Sequence, residues 1–195
     1  MISRRIQKAR TSLKERTIRN SQHYSPRSAL AHSLRARFNS PSHYQPARRH
    51  VMKLSSPAYE NNATIPQRFT CKDININPPY RIKDIPQNTQ SLCIIMHDPD
   101  APSGDFVHWV GYDIPPTENI EEGTRPGVQG QNDFGETGYG GPCPPSGSTH
   151  QYVTELYALD TRLNLPQGRS RKDVEEALQS HLLDSAQLTG MFGIS

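Results

Sequence analysis

Between Glu118 and Gly147 the chain places eight glycines and four prolines. No helix or strand accepts that density, because proline lacks the backbone donor and fixes φ while glycine carries the largest conformational entropy cost. The segment is therefore read as one long connection, and a connection of that length inside a compact domain ordinarily carries function. Strand signals flank it. Leu92-Cys93-Ile94-Ile95-Met96 is a continuous apolar run of the kind a buried central strand shows, and Val107 to Ile114 follows, closed by Pro115-Pro116. Tyr152 to Leu159 resumes the pattern with aromatic and aliphatic side chains. With 17 prolines and only 33% hydrophobic residues, the chain reads as mainly β, built from short strands and turns rather than a helical bundle.

Smaller elements fill in the rest. Thr64 to Thr70 reads as a short strand, Asn75 to Tyr80 as a proline-rich loop, and Leu188 to Gly193 as a short return segment against the sheet. One helix is expected near the C-terminus: Ser170 with Asp173 three residues on resembles a capping box. Val174, Ala177, Leu178, His181 and Leu182 then form a one-sided apolar stripe.

Charge divides the chain at about residue 53. Residues 1 to 53 hold 13 Lys/Arg against a single acid, Glu15, and the net charge of +3 for the whole chain leaves −9 on the remainder. The presumed domain is acidic, which argues against a nucleic-acid surface on it. The basic segment is Arg- and Ser-rich, with helical spacing at Ile2, Ile6, Ala9 and Leu13 and no period from Ser21 to His50. It reads as upstream sequence from a mis-assigned start, as a solvated basic tail, or as an organelle transit peptide, in that order. Residues 52–195 are read as the domain. No apolar run approaches the ~18 residues of a membrane span, so no integral membrane segment is expected. Three cysteines, Cys71, Cys93 and Cys143, show no zinc spacing and read as reduced thiols in a cytoplasmic protein, one disulfide in an exported form being the alternative.

Two blocks carry the chemistry. The first is Asp98-Pro99-Asp100-Ala101-Pro102 followed by Val107-His108-Trp109; the second is Gly141-Pro142-Cys143-Pro144-Pro145-Ser146-Gly147 followed by His150-Gln151-Tyr152. Prolines stiffen the bend that displays Asp98 and Asp100, although one aspartate in such a turn commonly caps local N–H groups. Imidazole beside carboxylate gives paired donors and acceptors suited to a phosphate oxygen, with Asp98 expected to favour the charged ring. The glycines of the second block are expected to let backbone N–H groups approach an oxyanion. Tyr152 adds a hydroxyl, and Trp109 is expected to pack beneath the pocket.

These blocks, together with Asn132-Asp133-Phe134-Gly135, Gly138-Tyr139-Gly140-Gly141 and Tyr157-Ala158-Leu159-Asp160, resemble the phosphatidylethanolamine-binding protein family in its bacterial Raf-kinase-inhibitor-like (YbhB/YbcL) branch, from about Met52 onward. The resemblance implies an antiparallel Greek-key β-sandwich with one or two short helices, mainly C-terminal. It implies an anion site lined by Asp98, Asp100, His108, Pro144, His150 and Tyr152, and a cis bond at Ala101-Pro102. Cys143 stands where other branches carry glycine. The function so implied is non-enzymatic binding of a small anionic or phosphorylated ligand such as a phospholipid head group, with no cofactor and no metal; a protein partner and a homodimer stay open. Two alternatives stand beside it: a hydrolase using His108 or His150 as general base, and a metal site from Asp98, Asp100, His108 and His150.

Overall fold

A computed structural model of the chain describes residues 51–195; the proposed basic extension lies, but for Val51, outside the described residues. The element order is β1 (Lys53–Ser55), β2 (Ala63–Thr64), a 3-10 turn (Gln67–Phe69), β3 (Tyr80–Lys83), β4 (Ser91–Asp98), β5 (Phe106–Ile114), β6 (Asn119–Ile120), β7 (Val128–Gln129), β8 (Thr149–Leu159), α1 (Arg171–Leu178) and β9 (Leu182–Gly193). They form a three-stranded sheet in the order β1-β3-β6 and a six-stranded sheet in the order β2-β9-β8-β4-β5-β7. Within the larger sheet β4, β5 and β7 are successive neighbours and β8 returns to the free side of β4, which is the Greek-key arrangement. Every pairing is antiparallel except that of β2 with β9.

Strand β4 explains why its sequence shows no alternation: all eight of its residues are buried. Its even positions, Leu92, Ile94 and Met96, join Leu54, Tyr80, Ile82, Trp109, Ile120, Tyr152, Leu156 and Phe192 between the two sheets. Its odd positions, Cys93 and Ile95, join Val110, Tyr112 and Leu159 under Val174 and Leu178 of α1. A sheet covered on both faces selects apolar residues at every position. Strand β8 alternates instead, with His150, Tyr152, Thr154 and Leu156 buried on the face shared with Asp98.

Several expectations need correction. Of the supposed Thr64–Thr70 strand only Thr64 pairs in a sheet, as the end of β2; Pro66 cannot donate to a ladder, and the chain coils into the Gln67–Phe69 turn. The capping box at Ser170 forms as expected, Asp173 N–H donating to Ser170 Oγ and Ser170 N–H to Asp173 Oδ2, each at 3.2 Å. The helix is shorter than its stripe, because it ends at Leu178; His181 lies beyond it, paired with Asp160, and Leu182 opens β9. The expected return segment is thereby a twelve-residue strand.

The Ala101-Pro102 bond is trans, against the expectation of cis. Gly104 N–H donates to Ala101 O at 2.9 Å, closing a tight turn in which a trans proline fits the second position. Nor are all three cysteines reduced: Cys71 and Cys143 form a disulfide with Cα atoms 5.4 Å apart, leaving Cys93 free and buried. Seventy-two residues separate the two, so their proximity is a product of the fold.

Candidate functional site

Three strands deliver the site. Asp98 ends β4, and its side chain lies on the face toward the inter-sheet core, as even positions of that strand do. His150 and Tyr152 occupy the same face of β8, the direct neighbour of β4. His108 reaches the site through an irregularity in β5. Met96 pairs with Trp109 and His97 with Val107, so His108 is the extra residue of a β-bulge. Bulges re-aim side chains in this way, and a regular strand could not place both His108 and Trp109 inward.

His150 donates from Nδ1 to Asp98 Oδ2 at 2.7 Å, with both side chains more than nine-tenths buried. The other Asp98 oxygen accepts the Asp100 amide at 2.9 Å, which fixes the start of the Asp-Pro-Asp turn. The His108 ring stands edge-on to Tyr152, centroids 5.1 Å apart, and its Nδ1 donates to Gly140 O at 2.7 Å. That bond assigns the tautomer, since a carbonyl can only accept, and it leaves Nε2 for a ligand. Burial pushes the His108 imidazole below its ordinary value; Gly140, Asp98, Gly141 and Asp133 pull upward, with smaller effect. The expectation that Asp98 would keep this ring charged is thus reversed, because desolvation outweighs the carboxylate. Asp98 forms its close pair with His150 instead.

Tyr152 is fully buried, yet its hydroxyl makes no hydrogen bond among the described residues. Burial first, and then the neighbouring Asp98 carboxylate, push its phenol well above the usual range, while the Cys143 backbone works in the other direction. A buried hydroxyl without a partner costs roughly 1–3 kcal/mol.

The remaining candidates separate. Asp100 is exposed, and its carboxylate accepts the Gln151 amide at 2.8 Å, which ties the turn to β8, while its charge still bears on the Tyr152 phenol. Pro144 is buried in the second loop. Trp109 packs as expected, buried between Tyr80 and Tyr139 with Nε1 donating to Gln129 at 2.8 Å. The glycine amides do not form the expected anion nest. Gly141 N–H donates to Asn75 Oδ1 at 2.8 Å and Gly147 N–H to Ile194 O at 2.6 Å, and Gly140 just before the block donates to His108 O at 2.8 Å. Gly141 is glycine for a steric reason, since an added Cβ would lie 2.4 Å from Phe69 O.

Sequence reasoning missed Phe134 as a wall. Its ring lies 5.3 Å from that of His108 and 4.8 Å from Phe106, and it remains 47% exposed at the rim. Asn132 holds the loop behind it by accepting the Phe134 and Glu136 amides and donating to Gly138 O. The Asn-Asp-Phe-Gly run signals a turn, but nothing in it names His108 as the ring it covers. A groove of about 500 Å³ lies elsewhere, near Asp105, Asn132, Arg171 and Glu175. Arg171 there is already engaged with both Asp105 and Glu175, so the chemistry favours the Asp98, His108, His150 and Tyr152 cluster as the candidate site.

The family model described as phosphatidylethanolamine-binding protein matches residues 55–193. The chain belongs to that family. A UPF0098 protein of Pyrococcus horikoshii is 45% identical over 151 residues, covering 72% of this chain and 76% of that one. A UPF0098 protein of Methanothermobacter thermautotrophicus is 45% identical over 149 residues, covering 72% and 98%. Among solved structures, a phosphatidylethanolamine-binding protein homologue from Chlamydia trachomatis superposes with a TM-score of 0.72 at 35% identity, over 75% of this chain and 99% of that one. YbcL of E. coli, described as a member of the mammalian family, gives 0.69 at 26% identity over 74% and 99%.

Proposed function

We propose that the chain is a non-enzymatic binding protein whose pocket takes phosphate-bearing head groups or similar small anions. The observation that carries this reading is the Tyr152 hydroxyl, fully buried, without a well-formed hydrogen bond among the described residues and set beside the Asp98–His150 pair. A donor so placed has its cost relieved by an incoming acceptor oxygen. With Nδ1 of each imidazole bound to Asp98 or Gly140, both Nε2 atoms are the remaining ring positions. An anion there favours the protonated rings, so binding takes up a proton, chiefly at His108, which burial biases toward neutrality. A Raf-kinase-inhibitor-like role, in which an occupied pocket alters contact with a partner protein, is part of the same proposal. So is a cytoplasmic location, and only if the disulfide is reducible, because such cross-links persist mainly in oxidising compartments.

Calorimetric titration with inorganic phosphate and with phosphoethanolamine tests it. Affinity should fall as pH rises from about 5.5 to 8, with proton uptake visible as a buffer-dependent enthalpy. His150→Ala should lose roughly 1.5–3 kcal/mol, the range for hydrogen bonds to charged groups. Affinity indifferent to pH and to both histidines would sink the reading. The Asp98–His150 pair is also the geometry of an oriented general base, so p-nitrophenyl phosphate and p-nitrophenyl acetate belong in the same series. Turnover abolished by His150→Ala would favour a hydrolase instead.

A further inference from the structure

The second site loop is held in an unusual manner. From Pro142 to Pro145 three of four residues are prolines, which have no N–H to give, so a backbone ladder cannot fasten the segment. Its ends are anchored: Gly140 N–H to His108 O and Gly141 N–H to Asn75 Oδ1 on one side, Gly147 N–H to Ile194 O at 2.6 Å on the other. Between those ends the cross-ties to the 67–75 turn are one hydrogen bond, Cys71 N–H to Pro142 O at 3.1 Å, and the Cys71–Cys143 disulfide itself. Cys143 is exposed and Cys71 half-buried. A dithiol can therefore reach the bond, in contrast to Cys93, whose buried thiol burial pushes well up and out of reactivity.

We propose that Cys71–Cys143 is a redox clasp on the anion site: oxidised, it fixes the Pro142–Pro145 wall that runs from Gly141 to the start of β8; reduced, it frees that wall and weakens ligand binding. The coupling runs through the two ends of the loop. Gly140 O, just before it, accepts the His108 Nδ1 bond at 2.7 Å, and its far end at Gly147 runs directly into Thr149 and His150 of β8, so slack between those ends changes the surroundings of both imidazoles. The chemistry balances with a dithiol reductant of the thioredoxin or dithiothreitol class. A reductant thiolate attacks Cys143 Sγ and Cys71 leaves as thiolate. The second reductant thiol then displaces Cys143, giving two protein thiols and a cyclic disulfide of the reductant, with two electrons and two protons transferred. The inference rests on the anion-binding reading for its consequence, but the loosening of the wall does not.

Two measurements on the full chain separate these. Amide hydrogen exchange, compared before and after dithiothreitol, should show a larger acceleration at Cys143, Ser146 and Gly147 than in β4 and β8, which stay the most protected strands. Phosphate titration of the same samples should show affinity at least tenfold weaker after reduction, restored on reoxidation, and the Cys71→Ser/Cys143→Ser variant should behave as the reduced form whether or not reductant is present. Equal exchange in the two redox states overturns the clasp whatever the ligand result. So does loss of the far-UV β signal on reduction, which would make the disulfide a global staple. Phosphate affinity equal in both states, with the wall loosened, overturns the link to binding, whereas no binding to the oxidised protein with a loosened wall refutes the anion-binding reading and leaves the clasp standing.

Discussion

His97 and Asp98 are neighbours on β4 that serve opposite sides of one sheet, and the two polar clusters they belong to are built on different terms. On the α1 side, His97 donates from Nδ1 to Asp105 at 2.5 Å, and Arg171 reaches Asp105 at 2.8 Å, Glu175 at 2.6 Å and Glu155 at 3.6 Å. Glu155 Oε2 makes no hydrogen bond, yet it sits in the field of both Arg171 and His97, the latter at 3.7 Å. On the other side, Asp98 and His150 pair closely, but the Tyr152 hydroxyl next to them makes no hydrogen bond among the described residues. The first cluster satisfies itself and fastens α1 and the Asp105 turn to the sheet. The second is buried and leaves the Tyr152 hydroxyl without a hydrogen bond among the described residues. Similar residue types thus give a structural brace where opposite charges are matched and the candidate site where they are not.

Removing the covalent tie should have the largest effect on stability. Cys71→Ser/Cys143→Ser opens a loop spanning 72 residues, which chain-entropy reasoning values at about 4 kcal/mol. Urea denaturation should show that loss. A change below about 1 kcal/mol would mean the site side is braced as fully as the α1 side, and the contrast between the faces would disappear.

Next in size is the split between binding and folding. Asp98→Asn keeps the shape of the side chain but removes the charge that orients His150, and phosphate affinity should fall by roughly 1.5–3 kcal/mol. Arg171→Gln, on the braced face, should leave phosphate affinity unaltered and cost about 1 kcal/mol of stability, since its ion pairs are partly solvent-exposed. Affinity loss in Arg171→Gln would show that the two faces communicate.

Acid sharpens the difference further. Because burial lowers the folded-state value of His108, the unfolded chain takes up a proton on this ring more readily than the native one. Its contribution is fully present above about pH 6.5 and is lost as pH falls through the lowered folded value. Chemical denaturation between about pH 5 and 7 should show stability falling toward acid, and His108→Asn should flatten that slope. A slope identical in the variant would remove His108 as its source. Tyr152→Phe should have the smallest effect on folding, neutral or stabilising by at most ~1 kcal/mol, because the hydroxyl it deletes is buried and unpaired. Phosphate affinity should nevertheless drop in the same protein.

The β-rich class, the buried central strand at Leu92–Met96, the capped C-terminal helix and the family were legible in the sequence, because these rest on local signals: apolar runs, proline and glycine density, a capping box and motif order. The sequence also named Asp98, His108, His150 and Tyr152, since each stands where a stiff loop meets a strand. Which of them touch was decided only by tertiary structure. The pairing of β4 with β8 gave Asp98 to His150, and the bulge in β5 turned His108 toward Gly140 and Phe134. The same pairing of segments tied Asp100 to β8, its carboxylate accepting the Gln151 amide. Desolvation reversed the expected charge bias of His108, and the fold joined Cys71 to Cys143 across 72 residues. Strand register, burial and loop closure are properties of chain segments brought together from far apart, and no spacing along the sequence encodes them.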